Sequence, residues 1–365
     1  MTTYYVDNVD GDDANAGTSE GSGNAWASIG KAMQTVAAGD HVGIKVTGTD
    51  YTVEDGSTDS IGAIITAGTA ASPIIFEAYT TTLGDRPTGS GRATLDASTN
   101  SLVNCIETSL SSALYYVFRN LIATGASTLG FEFTSNGDHV LLENCRSTAN
   151  GFGIRGDNFI ALDECEVDNN TNYGVNVDST LQVYDSEIHD NGAIGIDCEG
   201  IVCLDSIFYG NTNQNINQSS SSQLAVVSNC TFDGENAADH GCKFASIIVN
   251  VLRNSILYDC DVGVEGSSSV GDAWKISKNN LLQDNTTART NWPTGDNDIT
   301  GAPLFTDEAA HDYTLQSSSP AKAAGTDAGS LDGGTSYKDL GAYQREEPAG
   351  SSSGTNRGIL TGGRM

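Results

Sequence analysis

Short apolar segments recur along the middle of the chain, each interrupted by one polar and one small residue. The pattern is apolar, any residue, Asn/Asp/Glu, small residue, any residue, apolar, as in Val-Ser-Asn-Cys-Thr-Phe at 227–232. The polar third position falls at Asn120, Asn144, Glu164, Asp185, Asp205, Asn229, Asn254 and Asn279. The intervals of 20 to 25 residues are shorter than the roughly 33 residues or more of helical repeats. We therefore predict an all-β solenoid of short parallel strands.

Stacked coils about 4.8 Å apart place equivalent side chains directly above one another. Asn, Asp and Glu at the third position suit a tight turn, because Asn and Asp tolerate unusual backbone angles there. The fourth position forms an inward ladder of Cys145, Cys165, Ser186, Ser206, Cys230 and Ser255. The eight Cys form no CxxC pair and no zinc-like spacing, so we expect reduced core residues rather than ligands or disulfides.

A second strand follows in each coil and carries the candidate functional residues. We expect an inward row of Ile154, Val175, Ile196 and Ile216. Alternation then sends Arg155, Asn176, Asp197 and Asn217 outward, as a predicted glycan-binding column. The next outward column contains Asp157, Asp178 and Glu199, whose oxygens suit calcium. The alternative is that the outer face of an acidic solenoid is polar in any case.

The charge balance of the chain restricts which classes of molecule it can bind. With 47 acidic and 17 basic residues, the formal net charge is -30, which disfavours nucleic acid and anionic membranes. The chain has no apolar run long enough to insert into a membrane, and its N-terminus does not resemble a secretory signal. We expect a location on a virion or at the extracellular surface.

The two ends of the solenoid differ from its middle. Apolar residues at 26, 29, 32, 33 and 36 predict a short capping helix. The expected division is an N-terminal cap over 1–50, coils over 51–300, a closing segment over 301–345, and a linker and tail over 346–365.

Two further sites are suggested near the termini. Asp10, Asp12 and Asp13 form an acidic loop that either holds calcium or bonds to its own backbone in Asx turns. The tail carries Arg357, Ile359, Leu360 and Arg364, which are either a docking peptide for other virion proteins or a frayed terminus.

Both ends resemble a known superfamily. Pectate-lyase-like proteins resemble this chain in the segment 4–18, which is followed by Trp26 and a short helix, and in the closing segments 303–307, 312–315, 319–325 and 339–343. The resemblance covers about residues 3 to 344. It implies a right-handed, single-stranded parallel β-helix, a fold that hosts polysaccharide lyases as well as viral and bacterial surface proteins.

The resemblance also implies a chemistry. In the lyases, stacked Asp residues hold calcium, and an Arg or Lys removes the proton next to the sugar carboxylate. Arg155 and Lys243 are the candidate bases here. The motifs Asn-Thr-Asp, Gly-His-Gly and Arg-Ile-Lys of the related polygalacturonase-type hydrolases do not occur.

Two functions remain open, and the sequence favours the first. The first is a structural virion or surface protein, such as a phage decoration, fibre or spike component, which contacts glycans through its acidic face. Spikes with this fold are often trimers, so a homotrimer is an expectation of that hypothesis. The alternative is a lyase or glycoside hydrolase acting on a surface or matrix polysaccharide.

Overall fold

The computed structural model is a parallel β-solenoid with three walls, which confirms the predicted fold class. It describes residues 1–53, 59–85, 91–108, 110–111, 114–134, 137–220, 222–235, 240–246, 248–269, 271–325 and 338–343. We name the walls in their order within one coil, with the first wall directly before the recurring polar turn. The first and third walls belong to one 19-stranded sheet, and the second wall is a separate nine-stranded sheet.

The strands of each wall pair in parallel with their equivalents one coil away. The first wall contains β1 (Thr3–Val6), β2 (His41–Lys45), β4 (Ile74–Tyr79), β7 (Tyr115–Arg119), β10 (His139–Glu143), β13 (Phe159–Asp163), the later parts of β15 (Val175–Tyr184) and β17 (Ile194–Leu204), β20 (Ala225–Ser228), β23 (Asn250–Arg253) and β26 (Lys275–Lys278). The second wall contains β5 (Ala93–Asp96), β8 (Leu121–Thr124), β11 (Arg146–Thr148), β14 (Glu166–Asp168), β16 (Glu187–His189), β18 (Ile207–Tyr209), β21 (Thr231–Asp233), β24 (Ile256–Tyr258) and β27 (Leu281–Gln283). The third wall contains β3 (Ser60–Ile64), β6 (Asn104–Thr108), β9 (Leu129–Phe133), β12 (Phe152–Gly156), the earlier parts of β15 and β17, β19 (Gln214–Gln218), β22 (His240–Phe244), β25 (Val262–Gly266) and β28 (Thr287–Thr290).

The recurring polar residue turns the chain from the first wall to the second. All eight predicted positions have a positive φ, between 44° and 59°, in the left-handed region that Asn and Asp tolerate best. The side chains also connect coils: Asn144 Nδ2 donates to Asn120 Oδ1 at 2.8 Å. The predicted ladder is therefore confirmed in its backbone conformation.

The core is a narrow column between the three walls. The eight Cys are free and buried, as predicted, and burial raises the pKa of the Cys145 thiol to about 12. The inward row Ile154, Val175, Ile196 and Ile216 is at most 2% exposed. Apolar burial along this column is the main favourable term for such a fold.

A second asparagine ladder lies inside the coils and was not predicted from the sequence. Asn150, Asn170, Asn191 and Asn211 are each at most 1% exposed. Asn170 Nδ2 donates to Asn191 Oδ1 at 3.0 Å, and Asn191 Nδ2 donates to Asn211 Oδ1 at 2.9 Å. These bonds satisfy buried polar groups where each coil turns from the second wall to the third.

A short helix covers the N-terminal end of the solenoid. The predicted capping helix is α1 (Ile29–Thr35), whose N-cap Ser28 accepts a hydrogen bond from Lys31 N. The strands β1 and β2 already form coils within the range 1–50 that was expected to be the cap.

At the other end, the closing segment lies on the second wall. It includes the antiparallel hairpin of β29 (Phe305–Asp307) and β30 (Asp312–Leu315). Two 3-10 helices span Asp272–Trp274 and Glu308–Ala310. Phe305 and Tyr313 pack on Ile207, Ile256 and Leu281. Within the described residues, no helix has the length and apolar character needed to cross a membrane.

Candidate functional site

The predicted outward column on the third wall is present in register. Arg155 pairs with Asn176, Asn176 with Asp197, and Asp197 with Asn217. Arg155 is exposed, and the other three are half-buried. The alternation that places the inward row in the core therefore directs these four side chains away from it.

The column continues beyond the four predicted positions. Glu132 precedes Arg155 by one coil, and Lys243 and Glu265 follow Asn217. Glu107 stands next to Ile106, which pairs with Phe131 beside Glu132. We call the set Glu107, Glu132, Arg155, Asn176, Asp197, Asn217, Lys243 and Glu265 the polar column. Lys243 is a candidate base from the sequence, but only the strand register places it in line with Asp197.

Two side-chain amides hold the carboxylate of Asp197 in the polar column. Asn217 Nδ2 donates to Asp197 Oδ1 at 2.7 Å, and Asn176 Nδ2 donates to Asp197 Oδ2 at 3.2 Å. Burial raises the pKa of Asp197, the hydrogen bond from Asn217 opposes that rise, and the negative charge of Asp178 adds to it. The carboxylate is thus fixed in orientation by two amides while its charge is destabilised.

Carboxylates crowd one another near Arg155. Burial raises the pKa of Glu132, and the neighbouring charge of Glu107 raises it further. Burial likewise raises the pKa of Asp157, the charge of Asp178 adds to that rise, and Arg155 opposes it. Such mutual repulsion between like charges favours a bound proton or a bound cation.

The predicted calcium ligands lie at the edge of the same wall. Asp157, Asp178 and Glu199 each follow their polar-column residue by two positions, and the strand register shifts between Val177 and Thr180 beside them. Asp178 is exposed, and Asp157 and Glu199 are half-buried. These residues and Asp197 offer the oxygen ligands that a hard cation prefers. Among the residues that the structure describes, however, only Glu166, Asp168 and His189 bring three potential ligands within 4.8 Å of one another.

The acidic N-terminal loop is tied to its own surroundings. Asp13 Oδ1 accepts from the backbone N–H groups of Ala27 and Ser28, and its Oδ2 accepts from Ser28 Oγ at 2.7 Å. Asp12 Oδ1 accepts from Ala14 N. Asp12 therefore forms the Asx turn of the second alternative, whereas Asp13 bonds across the loop to the residues that begin the capping helix. The predicted docking residues Arg357, Ile359, Leu360 and Arg364 lie outside the described residues.

A second charged cluster lies on the second wall and was not predicted. Glu166, Asp168 and His189 bring their ligand atoms within 4.8 Å of one another. Arg146 donates to both oxygens of Asp168, each at 2.7 Å, and Thr148 Oγ1 donates to Asp168 at 2.9 Å. The arrangement is therefore an ion-pair network in which Asp168 is already well satisfied.

The third wall also carries a pair of aromatic side chains. The half-buried rings of Phe152 and Tyr173 meet edge to face, with centroids 5.6 Å apart. They precede Arg155 and Asn176 by three residues. Aromatic surface next to polar groups is typical of ligand sites.

Comparison with known proteins finds similarity in fold but not in sequence. No protein-family model matches the chain, and no curated protein matches its sequence. The crystal structure of pectate lyase Pel9A superposes with a TM-score of 0.60 at 16% identity, covering 95% of this chain and 97% of that one. A rhamnogalacturonan lyase gives 0.48 at 13% identity, covering 77% of this chain and 87% of that one. The GH136 lacto-N-biosidase from Eubacterium ramulus gives 0.41 at 12% identity, covering 82% of this chain and 67% of that one. By its fold, this chain is a parallel β-helix protein similar to a pectate lyase.

Proposed function

We propose that this protein is a polysaccharide lyase that cleaves an acidic glycan bound along the polar column. The observation that carries the proposal is the register that places Asp197, Asn217 and Lys243 in consecutive coils of one outward column. The similarity in fold to pectate lyase Pel9A supports this function over the structural virion protein that the sequence favoured.

Lys243 is the better candidate for the base. Arg remains protonated in proteins and cannot accept a proton, whereas a Lys amine can serve as a base. Lys243 is half-buried and has the neutral Asn217 on one side and Glu265 on the other. Asp197 lies two coils from Lys243. The four-carbon stem of Lys243 allows its amine to extend across the coil of Asn217, about 4.8 Å, toward Asp197.

Arg155 has a separate role in this proposal. It lies four coils from Lys243 along the column, a distance of roughly 19 Å, and therefore contacts a different sugar. Its planar guanidinium is suited to binding a sugar carboxylate with two parallel hydrogen bonds. The aromatic pair of Phe152 and Tyr173 adds apolar surface in the same region.

Carboxylate oxygens are the ligands that calcium prefers, and several carboxylates lie in the coils between these two cations. Asp178, Asp197 and Glu199 would hold the ion, and bound calcium would neutralise the sugar carboxylate next to the carbon that loses its proton. Lys243 would accept that proton while the bond from the adjacent carbon to the glycosidic oxygen breaks. The electron pair left on the first carbon forms a carbon–carbon double bond, and the leaving oxygen takes up a proton.

A panel of polyuronates tests the proposal directly. With calcium present, we expect products with the ultraviolet absorbance of an unsaturated uronate, and loss of that activity on chelation. Lys243→Gln should lower the rate by at least about a hundredfold, the typical contribution of a general base. The matched control Lys31→Gln, in the capping helix, should leave the rate unchanged.

A hydrolase is the second candidate, because Glu132 and Asp157 flank Arg155 and both have raised pKa values. A carboxyl group with a raised pKa suits a general acid. New reducing ends without ultraviolet absorbance, lost in Glu132→Gln and retained in Lys243→Gln, would support it. If no polysaccharide is cleaved, both enzymatic proposals are wrong.

A further inference from the structure

The first wall exposes a column that is almost entirely apolar. Its outward residues pair in register from coil to coil: Ile75, Val117, Leu141, Ala161, Gln182, Val202, Val226, Val251 and Ile276. None of these nine residues is charged, in a chain of net charge -30. Ile276 at the end of the column is 47% exposed. We call this set the apolar column.

Further apolar surface lies beside the apolar column, on the N-terminal side of the strands. The rings of Tyr115 and His139 stack with centroids 4.6 Å apart, and Phe159 follows at 5.8 Å. Leu224 is 43% exposed and Trp274 is 53% exposed, one residue before β20 and β26. With its two flanking columns, the face measures roughly 800 Å², given coil spacings of about 4.8 Å. That is about the area each partner contributes to a stable protein–protein interface.

The column on the other side of the apolar column carries an ordered set of charges. Its residues in register are Glu77, Arg119, Glu143, Asp163, Tyr184, Leu204, Ser228, Arg253, Lys278 and Asp296. Reversing this order about Leu204 places each charge from Arg119 to Asp296 opposite one of the other sign, and Glu77 lies beyond the overlap. Asp163 then lies opposite Arg253. Glu143, which is 4% exposed and accepts from Arg119 Nε at 2.8 Å within its own chain, lies opposite Lys278, and Arg119 lies opposite Asp296.

We propose that the occupant of this face is a second copy of the chain, packed face to face with the solenoid axes antiparallel. A two-fold axis that lies in the interface across the solenoids makes each column face itself in reverse order. Val202 then faces Val202, and Gly200 beside it lacks a side chain that would hold the walls apart. The charge order of the flanking column matches this one arrangement.

The charge of the chain also favours this face over others for self-association. At a net charge of -30, two copies repel each other over most approaches. The apolar column removes charge from the centre of the contact, and the flanking column turns repulsion into attraction at its rim. A trimer would not produce the reversed pairing, because its three-fold contacts join two different surfaces.

The mass of the full chain in solution is the first test. Sedimentation at micromolar concentration should show a dimer, and Val202→Asp should give a monomer because it places two carboxylates against each other at the axis. Thr290→Asp, a half-buried position on the third wall, is the matched control and should remain dimeric. A wild-type chain that is monomeric or trimeric overturns the proposal, as does a dimer unaffected by Val202→Asp.

Charge exchange tests the antiparallel register. Asp163→Arg and Arg253→Asp should each weaken the dimer at least tenfold, and the double variant should restore most of the loss. If the double variant is as weak as the sum of the two single variants, Asp163 and Arg253 do not meet. Circular dichroism of each variant separates a lost interface from a lost fold. None of these results depends on whether the chain cleaves a polysaccharide.

Discussion

Asn217 donates its side-chain amide to the carboxylate of Asp197, one coil away, at 2.7 Å. The two residues are 20 positions apart in sequence, so only the stacking of coils brings them together. The bond fixes the carboxylate that stands between the two cations of the polar column, and it lowers a pKa that burial raises.

Removing this amide should weaken calcium binding in a pH-dependent way. In Asn217→Ala the pKa of Asp197 rises further, so a larger fraction of the carboxyl group is protonated in mildly acidic solution. A hydrogen bond worth about 1 kcal/mol corresponds to roughly fivefold in affinity. Calorimetric titration with calcium should show that loss near pH 5 and a smaller one near pH 8. Asn213→Ala, at an exposed position, should show neither, and an equal loss at both pH values would contradict the explanation.

The buried asparagine ladder should contribute strongly to stability. Asn191 is fully buried; its Nδ2 donates to Val167 O and Asn211 Oδ1, and its Oδ1 accepts from Asn170. Asn191→Ala leaves several of these groups without partners, so we expect a loss of about 3 kcal/mol. Urea unfolding measures it. The exposed Asn172 supplies the control Asn172→Ala, and equal losses in the two variants would show that the ladder adds no stability.

The contribution of the left-handed turn at Glu164 to stability should depend on the backbone preference of the residue there rather than on its charge. Glu164 has φ 55° and an exposed side chain. Glu164→Val should lower the free energy of unfolding by about 1–2 kcal/mol, because a β-branched residue is disfavoured in this region. Glu164→Asn removes the same charge and should be neutral or stabilising. A similar loss in both would assign the effect to the carboxylate instead.

Much of the fold could be predicted from the sequence because every coil repeats the same local pattern of strand, polar turn and small inward residue. The positions from Asn120 to Asn279 recur every 20 to 25 residues, so strand, turn and inward ladder could all be predicted from spacing. The inner ladder of Asn150, Asn170, Asn191 and Asn211 was missed although its spacing is the same. The sequence pattern does not distinguish a buried Asn from exposed Asn residues beside it, as in Asn169-Asn170-Thr-Asn172.

The candidate site was harder to predict. Arg155, Asn176, Asp197 and Asn217 were found because the adjacent inward residues are aliphatic and evenly spaced. Lys243 was not aligned with them, since it lies 26 residues after Asn217 and next to Cys242 and Phe244 rather than an aliphatic pair. The Arg146–Asp168 ion pair joins two coils, and no local pattern marks which charged residues of neighbouring coils pair.

The closing segment should make stability depend on pH through Asp233. This residue is fully buried and accepts from Tyr313 Oη at 3.1 Å and from Glu235 N at 3.0 Å. Burial is the main cause that raises its pKa to about 6. Between its unfolded value near 3.8 and about 6, the folded chain therefore holds a proton that the unfolded chain releases.

The contribution of Asp233 to stability consequently falls as pH rises through that window, by about 3 kcal/mol at most. Asp233→Asn keeps a side-chain oxygen for both donors and carries no charge at any pH. We expect the variant to unfold at a higher urea concentration than the wild type at pH 7, with the difference shrinking toward pH 4. If the difference stays constant from pH 4 to 7, Asp233 does not titrate in the folded chain, and another group must account for any pH dependence of the closing segment.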